Sequence, residues 1–116
     1  MDKNELITRT KEFAHRCVKF ALALPDSYLG RHIKNQIIRS STSVAANYRA
    51  ACHSQTKAWF ISKISIVIEE CDETEFWLEF TQDEKLVKHD EIGFLLSEAH
   101  ELTSIFVASR KTAQKN

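Results

Sequence analysis

Apolar residues along this chain recur every three or four positions in four separate stretches, the spacing of one helix face rather than of a strand. The first, from about Asn4 to Ala23, aligns Leu6, Phe13, Cys17, Phe20 and Leu24, with Ile7, Ala14, Val18 and Ala21 beside them. Pro25 disfavours helix at Leu24 and ends it, and Asp26 or Ser27 is placed to cap the next. The second stretch, from about Tyr28 to Cys52, has a seam of Ile33, Ile37, Ser40, Val44, Asn47 and Ala51, flanked by Gln36 and Ser43. The third, about Gln55 to Thr81 after a cap at Ser54 or Thr56, aligns Phe60, Ile64, Val67, Cys71, Thr74 and Leu78. A polar connection from Gln82 to His89 leads to the fourth, capped by Asp90 and running to about Lys111 through Ile92, Leu95, Ala99, Leu102 and Phe106. The pattern predicts an all-α fold, an antiparallel up-down four-helix bundle forming one domain over residues 1–116.

Composition agrees. The chain has two Gly and one Pro, against average frequencies of about 7% and 5%. So few turn-formers suit long helices with short loops and exclude a β-rich fold. One segment resists the pattern: Arg39-Ser-Ser-Thr-Ser-Val-Ala-Ala-Asn47 sets four hydroxyl residues in a row. Such residues compete for backbone hydrogen bonds and commonly mark turns. Neither Gly nor Pro occurs between Arg31 and Thr81, however, and the apolar period runs through the patch. Ser40, Ser43 and Asn47 are therefore expected to face inward as small polar packing elements, with Asn47 fixing register.

Net charge is zero, but residues 1–63 carry eleven Lys/Arg against four Asp/Glu, and residues 64–116 carry five against twelve. The plainer reading is complementary packing of a basic helical hairpin on an acidic one. The sharper reading is a basic surface for an anionic partner. On the second helix Arg31, Asn35, Thr42, Arg49 and His53 fall within a sector of about 40° opposite the seam, with Lys34 and Arg39 on either side. Arg31, Lys34, Arg39, Arg49 and His53 are thus the candidate phosphate-tracking residues for RNA or another nucleic acid.

The third helix is apolar beyond one face. Trp59, Ile66 and Trp77 cluster on one flank, while Phe76 and Phe80 point away from the seam. In so small a bundle such residues are covered only by other subunits. Trp59, Ile66, Phe76, Trp77 and Phe80 are the candidate oligomer interface. Glu70 and Glu73, one turn apart, read as ion-pair partners for basic residues of the first half of the chain or of a neighbouring subunit, rather than as a catalytic pair.

No Gly-rich phosphate loop, nucleophile elbow or Cys-x-x-Cys pair occurs, and no cofactor is expected. His15/Cys17 and Cys52/His53 point to different helix faces, so no metal site is expected. Arg9 with His15, or Arg49 with His53, would permit a helical ribonuclease, but the pattern arises readily by chance; the expectation is a binding module, not an enzyme. The N-terminus lacks the apolar core of a signal peptide. No apolar run approaches the roughly 20 residues that span a bilayer. Three scattered cysteines suit reduced thiols, so a cytoplasmic location without membrane contact is expected.

Three stretches together carry a resemblance. They are Gln36-Ile-Ile-Arg-Ser-Ser-Thr-Ser-Val-Ala-Ala-Asn-Tyr-Arg-Ala-Ala51, Phe60-Ile-Ser-Lys-Ile-Ser-Ile-Val-Ile-Glu-Glu-Cys-Asp-Glu-Thr-Glu-Phe-Trp-Leu-Glu79 and Glu101-Leu-Thr-Ser-Ile-Phe-Val-Ala-Ser-Arg-Lys-Thr112. In this order they resemble the four helix bundle protein family, also called 23S rRNA-intervening sequence proteins. The resemblance implies a small antiparallel bundle assembled as a homopentameric ring, encoded within intervening sequences of bacterial 23S rRNA. Related bundle proteins are accessory factors of diversity-generating retroelements, binding nucleic acid and a reverse transcriptase. The expected function is a homo-oligomeric RNA-binding or accessory module; the alternative is a protein-interaction scaffold with no nucleic-acid role.

Overall fold

The computed structural model describes residues 1–88 and 90–115. It consists of α1 (Lys3–Leu22), α2 (Tyr28–Cys52), α3 (Lys57–Asp83) and α4 (Glu91–Lys115). Each helix packs on its neighbours in sequence and α1 meets α4, giving the expected all-α up-down bundle, 47 × 21 × 20 Å.

Short polar side chains set the helix starts. Asp2 accepts from the Glu5 amide at 2.8 Å, Ser27 from Gly30 at 3.0 Å and Thr56 from Trp59 at 3.0 Å. Because Thr56 stays extended to cap, α3 begins at Lys57, slightly later than the apolar pattern suggests. Helix α4 continues past Lys111 to Lys115, since no Gly or Pro stops it. His89, part of the expected connection, lies outside the described residues. At the end of α3, Lys85 takes a left-handed conformation (φ 56) and the Leu86 amide reaches back to the Thr81 carbonyl at 3.2 Å.

A single core runs the length of the bundle, with Phe13, Cys17, Ile33, Ile37, Leu78, Leu102 and Phe106 among its members. The hydroxyl patch is helical throughout. Ser40 donates to the Gln36 carbonyl at 2.8 Å and Thr42 to that of Ile38 at 2.7 Å, so these hydroxyls are satisfied within their own helix. Ser40 also stands 2.8 Å from the Thr74 hydroxyl, the small contact that lets α2 and α3 approach. The buried Ser41 hydroxyl meets no nitrogen or oxygen partner and lies beside the Cys17 thiol.

Two expectations for the patch are corrected. Ser43 and Asn47 are only half-buried, and the Asn47 amide donates to the Ser43 carbonyl at 3.0 Å and hydroxyl at 2.9 Å rather than across the core. Tyr48 and Ser41 take the inward positions instead, with the Tyr48 ring 5.4 Å from that of Phe106. Tyr48 lies one helical turn beyond Val44, and its bulk fills space that Asn47 could enter only by stranding an amide.

Complementary charge closes the bundle. On the α1–α4 side Arg9 grips both carboxylate oxygens of Glu98 at 2.8 and 2.7 Å and reaches Glu101 at 3.1 Å, while Arg16 pairs with Glu91 at 3.0 Å. The basic and acidic halves of the sequence are, in this respect, two halves of one seam.

Candidate interaction surfaces

Of the basic residues on α2, two are already engaged. Arg39 bridges Glu70, at 2.8 Å, and Glu73 on α3. Burial pushes the Glu73 carboxyl up, but hydrogen bonds from Arg39 and from the Trp77 indole (3.2 Å) outweigh it and hold Glu73 below the usual carboxylate range. Glu70 and Glu73 thus pair with the basic half of the chain as expected. In the same contact the half-exposed Arg39 guanidinium clamps α2 to α3. Arg31 pairs with Asp26 at 2.8 Å in the turn below it. Lys34 is half-buried.

Arg49 and His53 are exposed and, among the described residues, enter no ion pair. They line a groove of about 570 Å³ between α1 and α2. Its floor is Ile7, Ala14, Val18, Ala45 and Ala46, and its rim is Lys11 and His15 on α1 with Thr42, Arg49 and His53 on α2. The sequence marks α1 as basic together with α2 but singles out neither Lys11 nor the groove. Lys11 and His15 sit one turn apart on an ordinary-looking polar face, and only the antiparallel packing brings them into one groove with Arg49 and His53. Three of the floor residues are alanines, whose small side chains leave the groove open.

On α3, Trp59, Ile66 and Phe76 stand exposed, at 54%, 36% and 51%. Trp77 and Phe80 differ from this expectation: both are half-buried and packed against the core. The Trp77 ring meets His32 of α2 edge-on at 5.3 Å, and Phe76, Trp77 and Phe80 form one aromatic cluster with centroids 5.0–6.0 Å apart. Trp77 therefore ties the exposed Phe76 to the α2–α3 seam. Phe94 on α4 is a further exposed aromatic, with the Arg16 guanidinium 3.8 Å above its ring.

The chemistry available is limited. Among the described residues no cluster of three His, Cys, Asp or Glu side chains is arranged to hold a metal. Arg9, one half of a ribonuclease-like pair with His15, is occupied by Glu98 and Glu101. Burial pushes the Cys17 thiol far up and that of Cys71 to about 11, which keeps both protonated and unreactive. No helix among the described residues is long and apolar enough to cross a membrane.

Comparison with known proteins bears on family and fold. No curated protein matches the chain. A solved structure of a protein of unknown function from the S23 ribosomal protein family of Bacteroides thetaiotaomicron VPI-5482 is 29% identical. The match covers 96% of this chain and 99% of that one, with a TM-score of 0.83. The model of the 23S rRNA-intervening sequence proteins matches residues 2–108. With that match over nearly its whole length and the same four-helix architecture, this chain belongs to the 23S rRNA-intervening sequence protein family.

Proposed function

We propose that the protein is a non-enzymatic helical module that works by assembling with copies of itself. The observation that carries this reading is the exposed apolar side of α3, formed by Trp59, Ile66 and Phe76. Large apolar side chains left exposed along one helix mark an interaction surface. Phe76 is backed by Trp77 and Phe80 and so is held in place before any partner arrives. A ring, of five copies by the family resemblance, is the form we propose for the assembly.

Light scattering on the purified chain tests this reading. An oligomer at micromolar concentration is expected, and a monomer throughout overturns it. Phe76→Ala is expected to weaken assembly roughly tenfold or more, the loss typical of an aromatic interface anchor, with helix content unchanged. Trp77→Ala is expected to lower the melting temperature as well, because Trp77 also packs within the subunit.

A second reading, structured RNA as an anionic partner, is supported by unpaired Lys11 and Arg49 beside His15 and His53. It ranks lower because Arg31 and Arg39 are engaged within the chain and the groove floor is apolar. If it holds, affinity falls steeply with salt and drops on Arg49→Ala; no binding at about 0.05 M salt removes it. A different protein docked on the same surfaces would appear as a co-purifying chain.

A further inference from the structure

The groove between α1 and α2 has its complement on the same chain. Along α3, Glu69, Asp72 and Phe76 follow one another at steps of three and four and so share one outward stripe, with the half-buried Phe80 one turn beyond. Glu69 and Asp72 are exposed and, among the described residues, enter no ion pair. The groove is opposite in charge and in shape: Lys11 and Arg49, also unpaired, flank an alanine floor at Ala14, Ala45 and Ala46. The spacings correspond. Asp72 lies one turn from Phe76, and Lys11 and Arg49 each lie about one turn from the floor. We propose that the outward stripe of α3 in one copy docks into the α1–α2 groove of the next, seating Phe76 on the alanines and bringing Glu69 and Asp72 to Lys11 and Arg49.

This inference rests on the self-assembly reading and adds the two surfaces that meet. Because they differ, the contact is heterologous. Every added copy leaves one groove and one stripe free until the chain of contacts closes on itself. The alanine floor matters as much as the charge, since it leaves room for an incoming ring that leucine would fill.

Two variants at exposed positions test it by light scattering: a groove variant, Lys11→Glu/Arg49→Glu, and a stripe variant, Asp72→Ala/Phe76→Ala. Each alone is expected to assemble roughly a hundredfold more weakly than the wild type, because like charges or a missing anchor then meet an intact partner surface. Mixed in equal amounts they are expected to form a one-to-one dimer that grows no further, since the intact stripe of the first fits the intact groove of the second. Ala46→Trp, which fills the floor without changing charge, is expected to behave like the groove variant. It serves in its place if circular dichroism shows that the double variant has lost its helices. A groove variant that assembles like the wild type overturns the docking inference and leaves self-assembly standing, whether or not it has lost RNA binding. Two monomeric variants that fail to dimerise when mixed overturn it equally. A monomeric wild type overturns the self-assembly reading itself, and the docking inference with it.

Discussion

Gly30 and Gly93 are each the third residue of their helix, yet a methyl group would meet opposite surroundings. At Gly30 an added Cβ would lie 2.0 Å from the Pro25 carbonyl oxygen, backbone that cannot swing away. At Gly93 nothing stands within 4 Å. Gly30→Ala is therefore expected to destabilise the protein by about 1–3 kcal/mol through overpacking. Gly93→Ala should stabilise it by about 0.5–1 kcal/mol by removing backbone freedom from the unfolded chain. Thermal melts of the two variants check both signs. Lys85 gives the reverse case, a side chain held at φ 56 where glycine is at ease. Lys85→Gly is expected to raise stability by about 1 kcal/mol, and an unchanged or lower melting temperature would show that the side chain compensates. The sequence offers the turn at Pro25 but not the close approach at Gly30, which exists only once α2 folds back over it.

The α2–α3 pair shows how an element's faces are divided. Helix α3 sends Ile64, Val67, Cys71 and Leu78 to the core, Glu70, Glu73 and Trp77 to α2, and leaves Phe76 outside. The clamp from Arg39 is half-exposed, so Arg39→Ala is expected to cost no more than about 1 kcal/mol near neutral pH. Its pH dependence has a definite sign. Glu73 titrates lower in the folded chain than in the unfolded one, so its contribution is present above the unfolded value and is lost as pH falls through the folded one. The gap in melting temperature between wild type and Arg39→Ala should thus narrow as pH falls through and below the ordinary carboxylate range; a gap that persists in acid would show that Arg39 acts through packing. Glu75 on the α4 side shifts the other way. Burial raises it, with His100 opposing, so Glu75 itself favours the folded chain more as pH falls. Apolar spacing had marked the core face of α3 correctly and Glu70 and Glu73 as ion-pair residues, but helical angle alone could not separate Trp77 from Trp59. Both lie on the same flank; only Trp77 has His32 beside it.

Across the whole molecule the division of charge does two jobs. Part of it is used within the subunit, where Arg9, Arg16 and Arg39 join the acidic helices. Lys11 and Arg49 on the α1–α2 groove, and Glu69 and Asp72 on α3, enter no ion pair among the described residues. Under the docking arrangement these charges meet between copies. Exposed pairs are screened by salt, so raising ionic strength is expected to weaken assembly without abolishing it, the apolar seat of Phe76 remaining. Assembly that strengthens with salt in light scattering would instead indicate a contact dominated by the aromatics. Zero net charge conceals all of this, because it sums over faces that never see one another within a subunit.

What the sequence determined by itself is what depends on neighbours along the chain: four helices, their starts within a residue or two, the caps at Ser27 and Thr56, most of the core and the family-bearing patch from Gln36 to Ala51. Periodicity, capping chemistry and the scarcity of Gly and Pro are local, so they are legible without coordinates. Tertiary structure alone decided which cations stay free. Arg39 faced outward on a helical wheel as plausibly as Arg49, until α3 brought Glu70 and Glu73 to one and α1 brought only Lys11 and His15 toward the other. The inward place of Tyr48 and the sideways turn of Asn47 were likewise settled by what α4 and the core present to them. Those are contacts between residues distant in sequence, and no spacing within one helix encodes them.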